Sequence, residues 1–186
     1  MKKTINFGLA ALMVFVIGAC GGEKSVKIGE QIWMAKNLND ASKGGKCYYD
    51  EPQNCKKYGR LYTWDEAIKV CPEGWHLPSS KEWDVLVNFA GGEEVAGKKL
   101  KSKKGWRDYG SESGNGTDDY GFSALAGGQG YLGGNFYNTD LYGYWWSSVE
   151  KDSDNANYRV MGFNHEEVSW HDSDKEHMFS VRCVKD

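Results

Sequence analysis

The chain has little basic charge, few prolines and no apolar run long enough to cross a bilayer. Its 186 residues include three prolines against 24 glycines, and 23 basic against 26 acidic side chains, so the formal net charge is −3. This composition, with 40% apolar residues, indicates one loop-rich domain with ample material for a core. The acidic balance argues against a nucleic-acid partner, which favours a basic face.

An apolar segment lies at the N-terminus behind two lysines. It runs from Ile5 to Ile17 and ends in Ile17-Gly18-Ala19-Cys20, which is similar to a bacterial lipobox. We therefore predict a lipoprotein signal peptide over residues 1–19, lipid attachment to Cys20 and a tether over residues 20–27. The alternative is an ordinary secretory signal with a free or buried cysteine.

These features predict a cell-envelope protein, an outer-membrane lipoprotein exposed at the cell surface. Removing residues 1–19 takes away two lysines and no acid, which lowers the basic count from 23 to 21 against 26 acids, a net charge of −5. That balance argues against electrostatic docking on anionic lipid, so we expect membrane contact only through the lipid anchor.

Four cysteines remain after the predicted cleavage: Cys47, Cys55, Cys71 and Cys183. An even number in an exported chain predicts two disulfides, with three possible pairings. We favour Cys47–Cys55 and Cys71–Cys183, and the second would close a loop of 112 residues. The alternative is a metal site, but the first spacing is too wide for a zinc knuckle and no histidine is near, so we predict no metal.

The stretch from Gly59 to Leu86 predicts two helices joined by a tight, aromatic-rich corner. Thr63 with Glu66, and Ser79 with Glu82, have the spacing of capping boxes. The buried face of the second helix is predicted from residues three and four apart. The predicted inward residues are Ala67, Ile68 and Cys71 in the first helix and Trp83, Leu86, Val87 and Ala90 in the second.

The rest of the chain reads as strands separated by glycine-rich turns. We predict a strand or hairpin over 27–34 turned at Gly29-Glu30, a short helix with solvated lysines over 93–104, and turns over 127–143. Further strands are predicted at 122–126, 144–149, 158–163, 168–170 and 178–184. Two helices followed by such strands indicate an α+β fold.

Several ordered motifs resemble one family. They are Ile28-Gly29-x-Gln31-x-Trp33-Met34, Cys71-Pro72-x-Gly74-Trp75-His76-Leu77-Pro78-Ser79 and Gly116-Thr117-Asp118-x-Tyr120-Gly121-Phe122. In this order they resemble the Fibrobacter succinogenes major paralogous domain family. The resemblance implies a bacterial exported or cell-surface domain over residues 28–186, often part of a lipoprotein, with no established activity.

A more distant likeness concerns the fold. Leu77-Pro78-Ser79-x-x-Glu82-Trp83 and Phe179-x-Val181-Arg182-Cys183-Val184 are similar to the formylglycine-generating, sulfatase-modifying enzymes, which share a fold with C-type lectins. The likeness implies two helices packed on a twisted, loop-rich antiparallel sheet, with a helix cysteine paired to the last strand.

Catalysis is not predicted. The sulfatase-modifying enzymes need a reactive cysteine pair just upstream of the terminal cysteine, and this chain has no cysteine between Cys71 and Cys183. His76 lies in the tight corner, where we expect a structural role. His165, His171 and His177 are spaced six apart among acidic residues, which is typical of a solvated face, and no hydrolase or phosphate-binding motif is present.

Aromatic residues in or beside the glycine-rich loops are the candidate ligand-binding residues. Flat rings with polar tips suit sugar faces and protein hot spots. The candidates are Trp106, Tyr109, Tyr131, Tyr137, Tyr142 and Trp170. We expect at least half of the loop aromatics to be buried, with Trp145 or Trp146 among them.

The sequence therefore predicts a monomeric, non-catalytic domain that recognises a glycan or an extracellular protein. The alternative is an architectural role in envelope assembly. Exposed aromatic residues in a groove favour recognition, whereas burial of every ring favours the architectural role. Calcium remains an option as a cofactor, through Asn115, Asp118 and Asp119 or through Asp152, Asp154 and Asn155. Neither group carries the paired calcium motifs of the lectins, so no cofactor is predicted.

Overall fold

A computed structural model describes residues 16–17 and 24–186. Cys20 and almost all of the predicted signal peptide lie outside the described residues, so lipid attachment and cleavage stay predictions. None of the helices in the described part of the chain is long and apolar enough to cross a membrane.

The described part of the chain forms twelve strands and four helices. The strands are β1 (Val16–Ile17), β2 (Ser25–Ile28), β3 (Gln31–Met34), β4 (Leu61–Tyr62), β5 (Trp75–His76), β6 (Gly127–Tyr131), β7 (Phe136–Thr139), β8 (Tyr142–Glu150), β9 (Asn155–Gly162), β10 (Val168–Asp174), β11 (His177–Ser180) and β12 (Val184–Lys185). The helices are α1 (Pro52–Tyr58), α2 (Trp64–Val70), α3 (Ser80–Phe89) and α4 (Glu93–Leu100). Short 3₁₀ turns lie at Ala41–Lys43 and Tyr48–Asp50.

The strands form two sheets, which confirms the α+β class. The smaller sheet has the order β1-β2-β3-β12-β5 and the larger has the order β10-β9-β8-β11-β6-β7, with β4 beside β11. Pairing is antiparallel except where β11 and β6 each meet β8 in parallel. Strand β11 belongs to the larger sheet and β12 to the smaller one. The short segment 181–183 between them therefore connects the two sheets.

Both predicted capping boxes are present. The Thr63 and Ser79 side chains accept from the backbone three residues on, while Glu66 and Glu82 reach back to the cap amides. All four residues predicted to face inward from α3 are buried, from Trp83 to Ala90. In α2 the prediction for Ile68 is wrong, since it is 39% exposed. This short helix buries Trp64, Ala67 and Val70, spaced three apart, instead.

Two apolar clusters pack against opposite sides of the larger sheet. Alternation along β8 places Trp145 in the cluster with Trp83 of α3, and Tyr144 and Trp146 in the cluster with Ala67 of α2. Trp145 and Trp146 are both fully buried, as predicted for at least one of them. Helices therefore cover both sides of the larger sheet. The length of each helix determines which part of the sheet surface stays uncovered.

Local predictions were confirmed in part. The hairpin at Gly29-Glu30 is present, and β2 begins at Ser25, two residues before the predicted start. The residues around Phe122 are buried but form only an isolated bridge from Lys101 to Ala124 rather than a strand. Helix α1, which begins inside the small disulfide loop and continues past Cys55, was not predicted.

The segment predicted as turns over 127–143 contains the hairpin of β6 and β7. At Gly130 packing requires a glycine, since a Cβ there would lie 2.9 Å from the Phe136 ring. Ring packing on glycine thus overrides the low strand propensity of glycine.

Both favoured disulfides are present. Cys47 is bonded to Cys55 with S–S 2.05 Å, and Cys71 to Cys183 with S–S 2.07 Å. The second bond ties the residue after α2 to the residue before β12, so it joins a helix to the C-terminal segment.

A fully buried arginine joins the two sheets. Arg182 donates from Nε and Nη2 to Oδ1 of Asn37, at 3.0 and 2.7 Å. Its Nη1 donates to the carbonyls of Met34 and Phe122, at 3.1 and 2.6 Å, and its guanidinium lies 4.4 Å from the centre of the Phe122 ring. Burial lowers the pKa of Arg182 to about 9.

We predict that Arg182→Met lowers the free energy of unfolding by about 3 kcal/mol, because buried carbonyl and amide oxygens lose their donor. Arg107→Met is the control, since Arg107 forms an exposed ion pair with Asp140 at 3.3 Å. It should change stability by less than about 1 kcal/mol. Denaturant unfolding under oxidising conditions measures both, and equal effects would contradict the structural role of Arg182.

We also predict unequal contributions from the two disulfides. Replacing both Cys71 and Cys183 with alanine should cost about 4–5 kcal/mol, because the bond closes a long loop in the unfolded chain. The same change at Cys47 and Cys55, eight residues apart, should cost about 2–3 kcal/mol. Thermal and denaturant unfolding of the two paired variants gives the comparison, and the reverse order would refute it.

Candidate functional site

One side of the larger sheet carries a continuous group of aromatic rings that the helices leave partly uncovered. Alternation in β8 points Tyr142 and Tyr144 to this side, and Tyr158 of β9 lies opposite Trp146. His171 of β10 pairs in turn with Tyr158. Because side chains on one face of a sheet repeat every two residues, these rings from three strands lie side by side.

The hairpin of β6 and β7 extends the same surface. His177 of β11 pairs with Tyr131, and their rings are 4.3 Å apart. Tyr131 lies 5.8 Å from Tyr137, and Asn138 donates to the Tyr144 hydroxyl at 2.9 Å. We call this surface the aromatic face, and it consists of Tyr131, Tyr137, Tyr142, Tyr144, Tyr158, His171 and His177.

The aromatic face is accessible but anchored. Tyr137 is 50% exposed, His171 is exposed, and Tyr144 is 9% exposed where it stacks on Phe179. The remaining four residues are half-buried. Rings held at their base with open edges lose little freedom on binding, which favours recognition.

Burial shifts the pKa of three residues of the aromatic face in the direction that favours their neutral forms. Burial raises the pKa of Tyr144 to about 12 and raises the pKa of Tyr158. Burial lowers the pKa of His177, against a smaller opposing effect from Asp174, and the Ser173 hydroxyl bonds to its Nδ1. The hydroxyls of Tyr144 and Tyr158 and the neutral imidazole of His177 therefore supply hydrogen-bonding groups without a charge.

A cleft of about 440 Å³ continues this surface beyond Tyr142. The Phe163 ring lies 6.0 Å from the Tyr142 ring and 5.9 Å from the Tyr109 ring, which leads from the face into the cleft. We call it the Lys101 cleft, and its lining residues include Lys98, Lys101, Tyr109, Glu112, Phe163, His165 and Glu166.

Lys101 lies buried beside this cleft, only 2% exposed. Its Nζ donates to the carbonyls of Gly162 and His165, at 2.9 and 3.0 Å, and lies 5.2 Å from the centre of the Trp106 ring. Burial lowers the pKa of Lys101 to about 8. The prediction that the lysines near α4 form a solvated face is wrong for this residue.

Comparison with known proteins identifies the family. The model of the Fibrobacter succinogenes major domain matches residues 26–185. The chain belongs to the Fibrobacter succinogenes major domain family. No curated protein and no solved structure matches it.

This family member brings together four of the six predicted ligand-binding residues. Tyr131, Tyr137 and Tyr142 lie on the aromatic face, and Tyr109, 58% exposed, lies in the Lys101 cleft. Sequence reasoning did not select Tyr158, His171 or His177 for this surface. The alternation in β9 to β11 would have indicated them once the strand register was known.

The two tryptophans among the candidates lie elsewhere. Trp106 is 4% exposed and its indole donates to Ser102 and to the Ala124 carbonyl, so it is a core residue rather than a surface contact. Trp170 is half-buried on the opposite side of the sheet. There the Arg159 guanidinium lies 3.8 Å from the centre of its ring, and its indole donates to Asp84 at 3.0 Å.

The histidines of this family member differ in their roles. His76 bonds through Nε2 to Glu82, at 2.7 Å, and through Nδ1 to Asp186, at 2.6 Å, which agrees with the structural role predicted for it. Burial alone would lower its pKa, but the two carboxylates raise it. His165 and His177 are half-buried against rings, so the prediction of a solvated face holds only for His171.

The candidate calcium ligands are engaged in local bonds. Asp118 accepts from the amide and the hydroxyl of Ser123, and Asp152 accepts from the amides of Asp154 and Asn155. Among residues 24–186, no three side chains of His, Cys, Asp or Glu are grouped as a metal site. The expectation of no cofactor, with calcium as an option, stays a prediction.

A substitution at Gly162 tests how the aromatic face and the Lys101 cleft are joined. A Cβ there would overlap the His165 imidazole and lie 2.9 Å from the Tyr142 ring. We predict that Gly162→Ala displaces both rings and destabilises the fold by about 1–3 kcal/mol. Near-ultraviolet circular dichroism and denaturant unfolding report the two effects.

Gly133→Ala is the matched control, because a Cβ at Gly133 meets nothing within 4 Å. It should leave both measurements unchanged. A Gly162→Ala protein with an unaltered aromatic spectrum would contradict the proposed packing at this junction.

Proposed function

We propose that this family member is a non-catalytic domain of a surface lipoprotein, and that it recognises a glycan or an extracellular protein through the aromatic face. The observation that carries the proposal is a path of partly exposed rings across the larger sheet. Between Tyr109 and His171, successive ring centres are 5.9, 6.0, 6.0, 5.9 and 5.8 Å apart.

The chemistry of these rings favours a hydroxyl-rich ligand. Tyrosine offers an apolar body and a polar tip, which suits both the flat face and the hydroxyl rim of a sugar ring. Burial favours the neutral forms of Tyr144 and Tyr158 in the middle of the path, so we expect hydrogen bonding and ring stacking to dominate there. A protein partner presenting an extended segment would use the same groups.

Non-catalytic action is part of the proposal. Ser173 and His177 are in contact, as in the nucleophile–base pair of a hydrolase. Among the described residues, however, no carboxylate lies within 4.0 Å of His177 to orient its ring as a third member would. Ser173 and His177 lie on either side of the turn at 175–176 that connects β10 to β11, which gives their contact a structural explanation.

The compartment is proposed on two grounds. Two disulfides within one domain are typical of an oxidising environment outside the cytoplasm. The lipobox-like segment ending at Cys20 supports anchoring at the outer membrane, with the domain displayed as a monomer at the cell surface. The likeness to C-type lectins supports recognition as the role, with no nucleic-acid partner.

The test is a glycan array probed with the full chain, with and without calcium, followed by titration of the best ligand. We predict that Tyr137→Ala and Tyr142→Ala each weaken binding about tenfold, since a stacked ring contributes roughly 1–2 kcal/mol. Tyr49→Ala is the control, because Tyr49 is 62% exposed and packs on Tyr48 and Phe136, away from the aromatic face.

Binding that is unaffected at Tyr137 and Tyr142 but lost at Tyr49 would move the site to another surface. An array with no saturable ligand in either condition, together with no defined extracellular protein that binds, would favour the architectural role. Binding only in the presence of calcium would establish the cofactor left open by the sequence.

A further inference from the structure

We infer that the Lys101 cleft binds the carboxylate of an acidic sugar, so that the ligand is an acidic polysaccharide whose neutral parts lie along the aromatic face. This inference rests on the proposed recognition function and narrows it to one chemical class. The cleft, at about 440 Å³, lies within the range of small-ligand sites.

The Lys101 cleft adjoins the aromatic face. Tyr142 belongs to the aromatic face, and its ring contacts Phe163 at 6.0 Å between centres and His165 at 6.4 Å. Phe163 and His165 are both lining residues of the cleft. A chain of linked sugars that lies along the rings would therefore enter the cleft without crossing a gap.

The charge of the Lys101 ammonium favours an anionic ligand. In the described part of the chain, no carboxylate lies within 4.0 Å of the Lys101 ammonium, and its two partners are neutral carbonyls. A buried ammonium without a counter-ion is costly. An anion in the cleft would offset that cost and raise the pKa of Lys101, which burial lowers to about 8.

Lys98 supplies a second cation at the mouth of the cleft. Its side chain is 36% exposed, and its Nζ lies 3.3 Å from the Asn115 carbonyl and 3.8 Å from a Glu166 carboxylate oxygen. The long distance to Glu166 leaves room for a ligand carboxylate to compete. Glu112 and Glu166 are exposed at the rim, where they can accept hydrogen bonds from sugar hydroxyls.

His165 provides a neutral polar group inside the same cleft. Its Nδ1 is buried and has no hydrogen-bond partner among the described residues. Burial lowers the pKa of His165, against an opposing effect from Glu167, so the ring is neutral at pH 7. A sugar hydroxyl would satisfy this nitrogen, which an unpaired buried group requires.

The experiment compares oligogalacturonate with its methyl ester, which keeps the sugar chain and removes the charge. The full chain should bind the acid at least about tenfold more tightly than the ester, a difference of about 1.4 kcal/mol. Lys98→Gln should reduce this preference about fivefold, as expected for a partly exposed charge pair. Lys103→Gln is the control, because Lys103 is exposed and does not line the cleft.

The pH dependence tests Lys101 without altering the fold. The protonated ammonium binds the anion, so affinity for the acid should fall as the pH rises from 7 to 9, through its pKa of about 8. Affinity for the ester should stay constant. An NMR titration of the Lys101 ammonium should show its pKa rising when the acid is bound and remaining unchanged with the ester.

The outcomes separate this inference from the proposed function. Equal affinity for acid and ester, or an unchanged preference in Lys98→Gln, overturns the acidic-sugar site even if Tyr142→Ala abolishes binding and recognition stands. Failure of both oligomers to bind also overturns it, and the array result then decides recognition separately.

Discussion

The guanidinium of Arg182 lies where the two sheets meet, and among the described residues it forms no ion pair with a carboxylate. The packing of the two sheets depends on the hydrogen bonds that it makes instead. Asn37 accepts from Arg182 and from the Trp145 indole, at 2.9 Å, and donates to the Tyr58 carbonyl, at 2.8 Å, and to Ser180, at 3.2 Å. The Asn37 amide therefore ties β8, β11 and the segment 181–183 to α1, while Arg182 reaches β3 of the smaller sheet through the Met34 carbonyl. Because an unsatisfied buried cation is costly, few arrangements of these segments are acceptable, and the network favours a single one.

The same network fixes the register that the candidate site needs. Trp145 is anchored by Asn37, and its neighbours Tyr144 and Trp146 must then point to the other side of β8. A slip of one residue would exchange the two sides and place Trp145 among the exposed rings. The alternation of side chains along β8 therefore places Trp145 at the buried Asn37 network and Tyr144 on the aromatic face. A stable register is what allows rings from six strands to form one surface.

Much of the local structure could be predicted from the sequence, because its signals are short-range. The capping boxes at Thr63 and Ser79, the hairpin at Gly29 and the helix stripe from Trp83 all depend on spacings within a few residues. Burial of Trp106 and Lys101 could not be predicted, since it depends on carbonyls supplied by distant segments. The contact of Tyr131 with His177 likewise depends on strand register, which no local pattern encodes.

Glycines and aromatic rings pack against each other both in the core and at the candidate site. Rings lie directly over glycines: Phe136 over Gly130, Trp145 over Gly143, and His165 over Gly162, where a Cβ would overlap the ring in each case. At these three positions glycine and an aromatic ring therefore form one packing arrangement. Glycine raises the entropy lost on folding, and the two disulfides and the buried arginine network offset that loss. Phe136 and Trp145 are buried in this way, whereas His165 is half-buried and keeps part of its ring accessible in the Lys101 cleft.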